Sequence, residues 1–211
     1  EHFNGSVVFP ITDENGVIQG IYGRKVTRNL RAGTALHLYL PGPHKGLFNP
    51  KCLISPEIIL CEAIIDALSF WVNGFRNVTA SYGTNGFTHE MLEAFVSHAV
   101  KIVYIAFDAD EAGDKAAREI AEKLGEHGIE CFRLQFPKGQ DANDFVCQKG
   151  FTAEWLGKLL GEAKRMGENR PSDVIPSEAL ERSDKTEPRN LRGRKKAVPN
   201  GLLRPPVDSS L

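Results

Sequence analysis

Asp108 and Asp110 stand two residues apart at the end of the apolar run Ile102-Val103-Tyr104-Ile105-Ala106-Phe107. The run reads as a buried strand, and residues 101 to 107 are assigned to it. After Gly113, residues Ala116, Ala117, Ile120, Ala121 and Leu124 make one stripe at helical spacing, so a helix follows. Two carboxylates separated by one residue on an extended segment point the same way, and hard divalent cations prefer oxygen ligands. One reading of the pair is therefore a metal-dependent phosphoryl-transfer site. The other is helix capping, because Asp is favoured at the N-cap and in the first turn.

The remaining acids bear on that choice. The apolar run from Glu57 to Cys61 delivers Glu62, and Asp66 lies one helical turn later on the same face. A further strand-like segment, Cys131 to Leu134, leads into Gln140-Asp141-Ala142-Asn143-Asp144. Neighbouring carboxylates about 4 Å apart repel by roughly 4 kcal/mol at an effective dielectric of about 20. Such a cluster is costly unless cations hold it together. From 57 to 149 strands and helices alternate, which calls for parallel crossovers and puts the acids at the carboxyl ends of strands, the usual ligand crevice of an open α/β sheet. Ser81 to Asn85 follows the second strand, either as part of that crevice or as a plain turn.

Over 211 residues the net charge is only −1, so its distribution is more telling than its sum. Between Arg24 and Lys51 the charged residues are all basic: Arg24, Lys25, Arg28, Arg31, Lys45 and Lys51. They follow a hairpin pattern of Val7 to Ile11, a turn at Asp13-Glu14-Asn15-Gly16, and Val17 to Arg24. A strand-rich subdomain over 1–54 with a positive face suits nucleic-acid or nucleotide phosphates, bound with a salt-dependent affinity and no sequence preference. A solvated surface is the alternative. His37, His44 and His98 have no partner at metal-ligand spacing and read as surface or core polar groups.

The four cysteines, Cys52, Cys61, Cys131 and Cys147, are scattered without Cys-x-x-Cys spacing and read as reduced, mostly packed residues with no zinc site among them. No apolar run approaches the length of a membrane span and no secretory leader is present, so the expected compartment is the cytoplasm. The absence of Met at Glu1 suggests a start within a longer polypeptide. Thr152 to Met166 carries Trp155, Leu156, Leu159, Leu160 and Ala163 at helical spacing, so 151–167 is expected to dock as an amphipathic helix. Residues 168–211 hold too little apolar material for a core and read as a disordered tail with a basic run at Arg189, Arg192, Arg194, Lys195 and Lys196.

Glu62 with Asp66, the stretch Phe107-Asp108-Ala109-Asp110-Glu111-Ala112-Gly113, the Asp141 segment and Ser81-Tyr82-Gly83-Thr84 resemble, in order and spacing, the Toprim domain, and in particular that of DnaG-type bacterial DNA primases. The hairpin and Gly23-Arg24 step are similar to the amino-terminal part of the primase core, so the resemblance runs over roughly residues 5 to 150. It implies an α/β fold with a Toprim-like parallel sheet flanked by helices over 55–150 and a small strand-rich N-terminal subdomain. It also implies nucleotidyl transfer that makes RNA primers on single-stranded DNA from ribonucleoside triphosphates. On that resemblance Glu62, Asp108 and Asp110 are catalytic, and Asp66 and Asp141 support them around Mg²⁺ or Mn²⁺. Glu62 is either a ligand or a general acid or base. Arg24, Lys25, Arg28, Arg31 and Lys45 are the nucleic-acid or nucleotide contacts, with Arg24 foremost. The family's last acidic motif usually reads Asp-Pro-Asp, whereas Asn143 here offers a carbonyl without a charge. A replicative helicase and a separately supplied zinc-binding module are the expected protein partners. A Toprim nuclease, a topoisomerase-like strand-cleaving enzyme and an inactive nucleic-acid-binding module are the alternatives.

Overall fold

Two apolar-rich runs, Val7 to Ile11 and Val17 to Tyr22, parted by the turn at Asp13 to Gly16, fold into an antiparallel hairpin. Strand β1 (Ser6–Thr12) pairs with β2 (Ile18–Lys25) in a register running from Ser6 opposite Lys25 to Thr12 opposite Ile18, with a bulge between Ile11 and Thr12. Asp13 holds the turn: its carboxylate accepts from the amides of Asn15 at 2.9 Å and Val17 at 3.0 Å and from the Gln19 side chain at 2.9 Å. Strand β3 (His37–Tyr39) pairs with the other edge of β2, setting Arg24 opposite His37 and Tyr22 opposite Tyr39. The computed structural model describes residues 2–27, 29–149 and 153–167. Arg28, and the expected tail with its basic run, lie outside the described residues.

A single 3-10 turn, Pro50–Ile54, leads into the second sheet. Its strands are β4 (Glu57–Cys61), β5 (Val78–Ala80), β6 (Ile102–Ala106), β7 (Glu130–Arg133) and β8 (Lys164–Met166), in the spatial order β5-β4-β6-β7-β8. All pairings are parallel except that of β8 with β7. Helices α1 (Ile64–Val72), α2 (His89–Ser97), α3 (Glu111–Glu126) and α4 (Ala142–Lys149) follow β4, β5, β6 and β7. The strands read as continuous apolar runs because both sheet faces are covered. On one face Met91, Phe95, Val103, Ile105, Ile120 and Leu124 pack together. On the other, Ile59, Cys61, Phe70 and Phe145 form a core that also takes in Ile11 and Tyr22, so the small sheet and the parallel sheet share buried surface.

One sequence expectation is corrected here. The helical pattern of 151–167 persists only through α5 (Ala153–Gly161), and Lys164–Met166 instead extend along β7, from Arg133 opposite Lys164 to Cys131 opposite Met166. The apolar stripe of α5 does dock, through Leu156, Leu159 and Leu160, but beyond it the free edge of β7 presents unpaired amides and carbonyls, and pairing them while packing Met166 on the core ends the helix. Among the described residues no helix is long and apolar enough to cross a membrane.

The passage from β6 to α3 is tight. Asp110 is the N-cap of α3 and accepts from the Gly113 amide at 2.7 Å, while a Cβ on Gly113 would lie 2.3 Å from the Asp108 carbonyl oxygen. Elsewhere in a helix Gly→Ala stabilises by about 1 kcal/mol. Here overpacking against backbone costs roughly 1–3 kcal/mol. We expect Gly113→Ala to lower the midpoint in urea unfolding. An unchanged or higher midpoint would show that the turn has room.

Candidate metal and phosphate crevice

The parallel register that sets Cys61 beside Ala106 also fixes what comes next on each strand. Glu62 and Asp108 emerge side by side from the carboxyl ends of β4 and β6. Asp66 sits in the first turn of α1, almost completely buried at 3% exposure, and Asp141 immediately precedes α4. One carboxylate oxygen each from Asp66, Asp108 and Asp141 lies within 4.8 Å of the other two. Backbone amides hold two of these side chains: Asp66 accepts from Asn143 at 3.2 Å and Asp141 from Asp144 at 2.6 Å.

Burial and mutual repulsion make these acids hard to ionise. Asp66 is pushed up to about 8, first by burial and then by the charges of Asp141, Asp108 and Glu62, with the Asn143 amide opposing. Glu62 is raised to about 7 by burial and by Asp108 and Asp110, against the Asp108 amide and the Arg133 charge. Asp108 is also raised, by burial first and then by Asp141, Asp110 and Asp144. Among the described residues, the Glu62 Oε2 atom is buried without a hydrogen-bond partner. An all-oxygen, crowded and partly orphaned donor set fits a divalent cation, which Asp66, Asp108 and Asp141 would share with Glu62 beside them.

Arg133 supports the cluster from behind. Its guanidinium is buried, pairs with Asp114 at 3.0 Å, and donates to the carbonyls of Phe107 at 2.8 Å, Asp108 at 2.7 Å and Leu134 at 3.2 Å. It therefore clamps the loop that carries Asp108 to the end of β7.

The two readings of the Asp-x-Asp pair divide between its members. Asp108 joins the carboxylate group, whereas Asp110 caps α3 and is not one of the three converging acids. Asp66 and Asp141, expected in supporting positions, converge with Asp108, and Glu62 stands alongside. A crevice of about 260 Å³ opens over them, with Arg24, His37, Tyr39 and Tyr82 on the side of the small sheet and the β5–α2 connection. Of the basic candidates that are described, Arg24 alone lines it. Lys25 donates to the Asn4 carbonyl, and Arg31 and Lys45 are exposed away from the lining. The segment after β5 does line the crevice, through Tyr82 and Gly83.

Tyr39 and Arg133 were not singled out from sequence as parts of the site, whereas Asn143, noted there for its carbonyl, does line the crevice. Arg133 had a usable signal, since a lone Arg inside the apolar stretch Cys131 to Leu134 must find buried partners. All four cysteines are free; Cys52, Cys61 and Cys131 are buried, and Cys147 is exposed. Burial holds the Cys52 and Cys131 thiols up at about 12, so they are packing groups.

Residues 59–146 match the Toprim-like family. The DNA primase of Aquifex aeolicus is 30% identical over 174 residues, which take in 77% of this chain and 33% of that protein. The DNA primase of Clostridium acetobutylicum is 31% identical over 163 residues, 71% of this chain and 26% of that protein. The chain thus spans about a quarter to a third of the length of these curated relatives. A crystal structure of the zinc-binding and RNA polymerase domains of the A. aeolicus primase superposes with a TM-score of 0.65 at 28% identity, covering 78% of this chain and 41% of that one. The Escherichia coli primase catalytic core shares the fold with a TM-score of 0.64 at 22% identity, over 77% of this chain and 53% of that one.

The raised carboxyls give the metal-free protein a defined pH response. Asp66 and Glu62 ionise near 4 when unfolded but at about 8 and about 7 when folded, so the stability they contribute is complete below pH 4 and is lost as pH rises toward 8. In chelator, we expect the thermal midpoint to fall by roughly 10 °C or more between pH 5 and pH 8.5, and Asp66→Asn to flatten much of that fall. A midpoint that rises with pH over this range would mean that the acids are not crowded.

Proposed function

We propose, for a chain whose residues 59–146 form a Toprim-like domain and whose similarity to the bacterial DNA primases takes in 77% of its length, that it synthesises RNA primers on single-stranded DNA by nucleotidyl transfer. The observation that carries this reading is the crevice itself, in which Asp66, Asp108 and Asp141 face Arg24 and His37. Asp66, Asp108 and Asp141, with Glu62 beside them, would hold Mg²⁺ or Mn²⁺, which would supply activation of the attacking 3′-hydroxyl and neutralisation of charge on the departing pyrophosphate. Arg24 on the opposite wall meets the phosphates, with a planar fork suited to them. Glu62, raised to about 7, is able to hold or release a proton beside the attacking group near neutral pH. Arg133 keeps the Asp108 loop in place while charge moves past it.

Single-stranded DNA and ribonucleoside triphosphates are the partners in this reading, together with a replicative helicase and a zinc-binding module supplied separately, in the cytoplasm. Strand cleavage through Tyr22 or Tyr82 is disfavoured by the surroundings of their hydroxyls. The Tyr82 hydroxyl donates to the carbonyls of Lys45 at 2.7 Å and Gly46 at 2.9 Å. The Tyr22 hydroxyl is buried and raised to about 12, chiefly by desolvation.

Incubating the full chain with single-stranded template, labelled ribonucleotides and Mg²⁺ or Mn²⁺ tests the proposal. We expect short RNA products, and a loss of about 100-fold or more in Asp108→Asn, since even outer residues around a metal are worth roughly 10- to 100-fold. Template degradation without synthesis would indicate a nuclease instead. Retention of the template with neither reaction would indicate a binding module.

A further inference from the structure

The small sheet carries a hydrogen-bonded row that the acidic cluster does not use. Tyr22 is fully buried, and its hydroxyl oxygen lies 2.9 Å from His37 Nδ1. The Nε2 atom of the same ring meets the Arg24 guanidinium across the β2–β3 pair, where Arg24 stands directly opposite His37. Both residues line the crevice, with Asp66 and Asp141 among those across from them.

Donor and acceptor roles in this row are fixed by one residue. A guanidinium has donors only. Nε2 must therefore carry the lone pair, the ring proton sits on Nδ1, and Nδ1–H donates to the Tyr22 oxygen. We propose that His37 is a positioning residue which, as the neutral Nδ1–H tautomer anchored on Tyr22, accepts from Arg24 through Nε2 and fixes that guanidinium toward the crevice as a preformed receptor for a nucleotide's phosphates. The phosphate part rests on the reading of the crevice given above; the tautomer and the hold on Arg24 do not.

The surroundings favour the neutral ring. Desolvation by the crevice wall and the Arg24 charge lower its proton affinity, and Asp141 across the crevice raises it. Tyr22 has its ring centroid 5.9 Å from that of His37, and Tyr39, Tyr82, Glu62, Asp66, Asp108 and Asp144 are the other titratable groups lining the same crevice. An imidazolium has no lone pair for Arg24 and repels it. The guanidinium is thus held at neutral pH and released on acidification. A long, rotamer-rich side chain held in its binding geometry beforehand loses less freedom when ligand arrives.

The test uses the full chain and ATP with Ca²⁺, so that binding is read without turnover. We expect Arg24→Ala and His37→Ala each to weaken ATP by roughly fivefold to tenfold, and the double variant to lose little more than either alone. His37→Gln, whose amide oxygen accepts as Nε2 does, should recover most of the affinity. The ratio of wild-type to His37→Gln affinity should fall below pH 6, a comparison in which titration of the acids and of ATP cancels. In ¹⁵N spectra at pH 7.5 the His37 ring should show the Nδ1–H tautomer, and the Arg24 Nε–H should be ordered in wild type and mobile in His37→Ala. Loss of affinity in Arg24→Ala with none in His37→Ala would overturn the proposal and leave the crevice reading intact, as would fully additive losses. Should the chain bind no ATP, the crevice reading fails, and the spectra decide the positioning claim. An Nε2–H tautomer, or an Arg24 Nε–H equally mobile in both proteins, would overturn it.

Discussion

Three carboxyl groups that repel one another are brought to one end of a sheet, and the architecture around them is what makes that arrangement tolerable. Asp66, Asp108 and Asp141 come from a helix, a strand end and a loop, so no local segment could impose their meeting. Parallel pairing of β4 with β6 delivers Glu62 and Asp108 together, and packing of α1 against α4 brings Asp66 to the amide of Asn143. Arg133 then answers the concentrated negative charge with a buried positive one. A buried arginine without partners would cost several kcal/mol, but this one is saturated by three loop carbonyls and Asp114. The same bonds that satisfy it fasten the loop carrying Asp108.

The crevice has two walls of different origin and opposite character. The parallel sheet supplies acids; the small sheet supplies Arg24 and His37, with Tyr82 from the β5–α2 connection between them. Tyr82 is fixed at both ends of its side chain. Its ring stacks on His44 with centroids 4.4 Å apart at 8°, and its hydroxyl holds the Lys45 and Gly46 carbonyls. The connection from β3 into the 3-10 turn is thereby tied to the same crevice. Because Ile11 and Tyr22 are buried in one core with Ile59 and Cys61, the distance between the walls is set by packing rather than by a flexible joint.

Much of this was readable from the chain, for physical reasons that also mark where reading stopped. An apolar run from Glu57 to Cys61 that ends in an acid has one comfortable place in a parallel α/β sheet, and β4 spans those very residues. The hairpin turn at Asp13 followed from side-chain capping chemistry in the same way. The roles of Asp108 and Asp110 could not be separated, because an Asp at a strand–helix junction suits capping and ligation equally until the backbone direction is known. Lys25 looked like its neighbour Arg24, but alternation along β2 turns it toward Asn4. Strand β8 was invisible since three residues of little apolar character become a strand only when β7 offers an edge. Arg133 stands as a lone charge in an apolar stretch, but its partners, mostly backbone carbonyls, are not recorded in any side-chain pattern.

The account stands on Asp66, Asp108 and Asp141 acting together as oxygen ligands, and Mn²⁺ titration calorimetry on single Asp→Asn variants tests that most directly. Asn keeps the shape of each side chain and remains a good N-cap, so Asp110→Asn is a fair control for capping alone. We expect Asp66→Asn, Asp108→Asn and Asp141→Asn each to weaken Mn²⁺ by at least about tenfold, and Asp110→Asn to have a clearly smaller effect. Full loss of Mn²⁺ binding in Asp110→Asn, with Asp66→Asn and Asp141→Asn binding as wild type does, would contradict it.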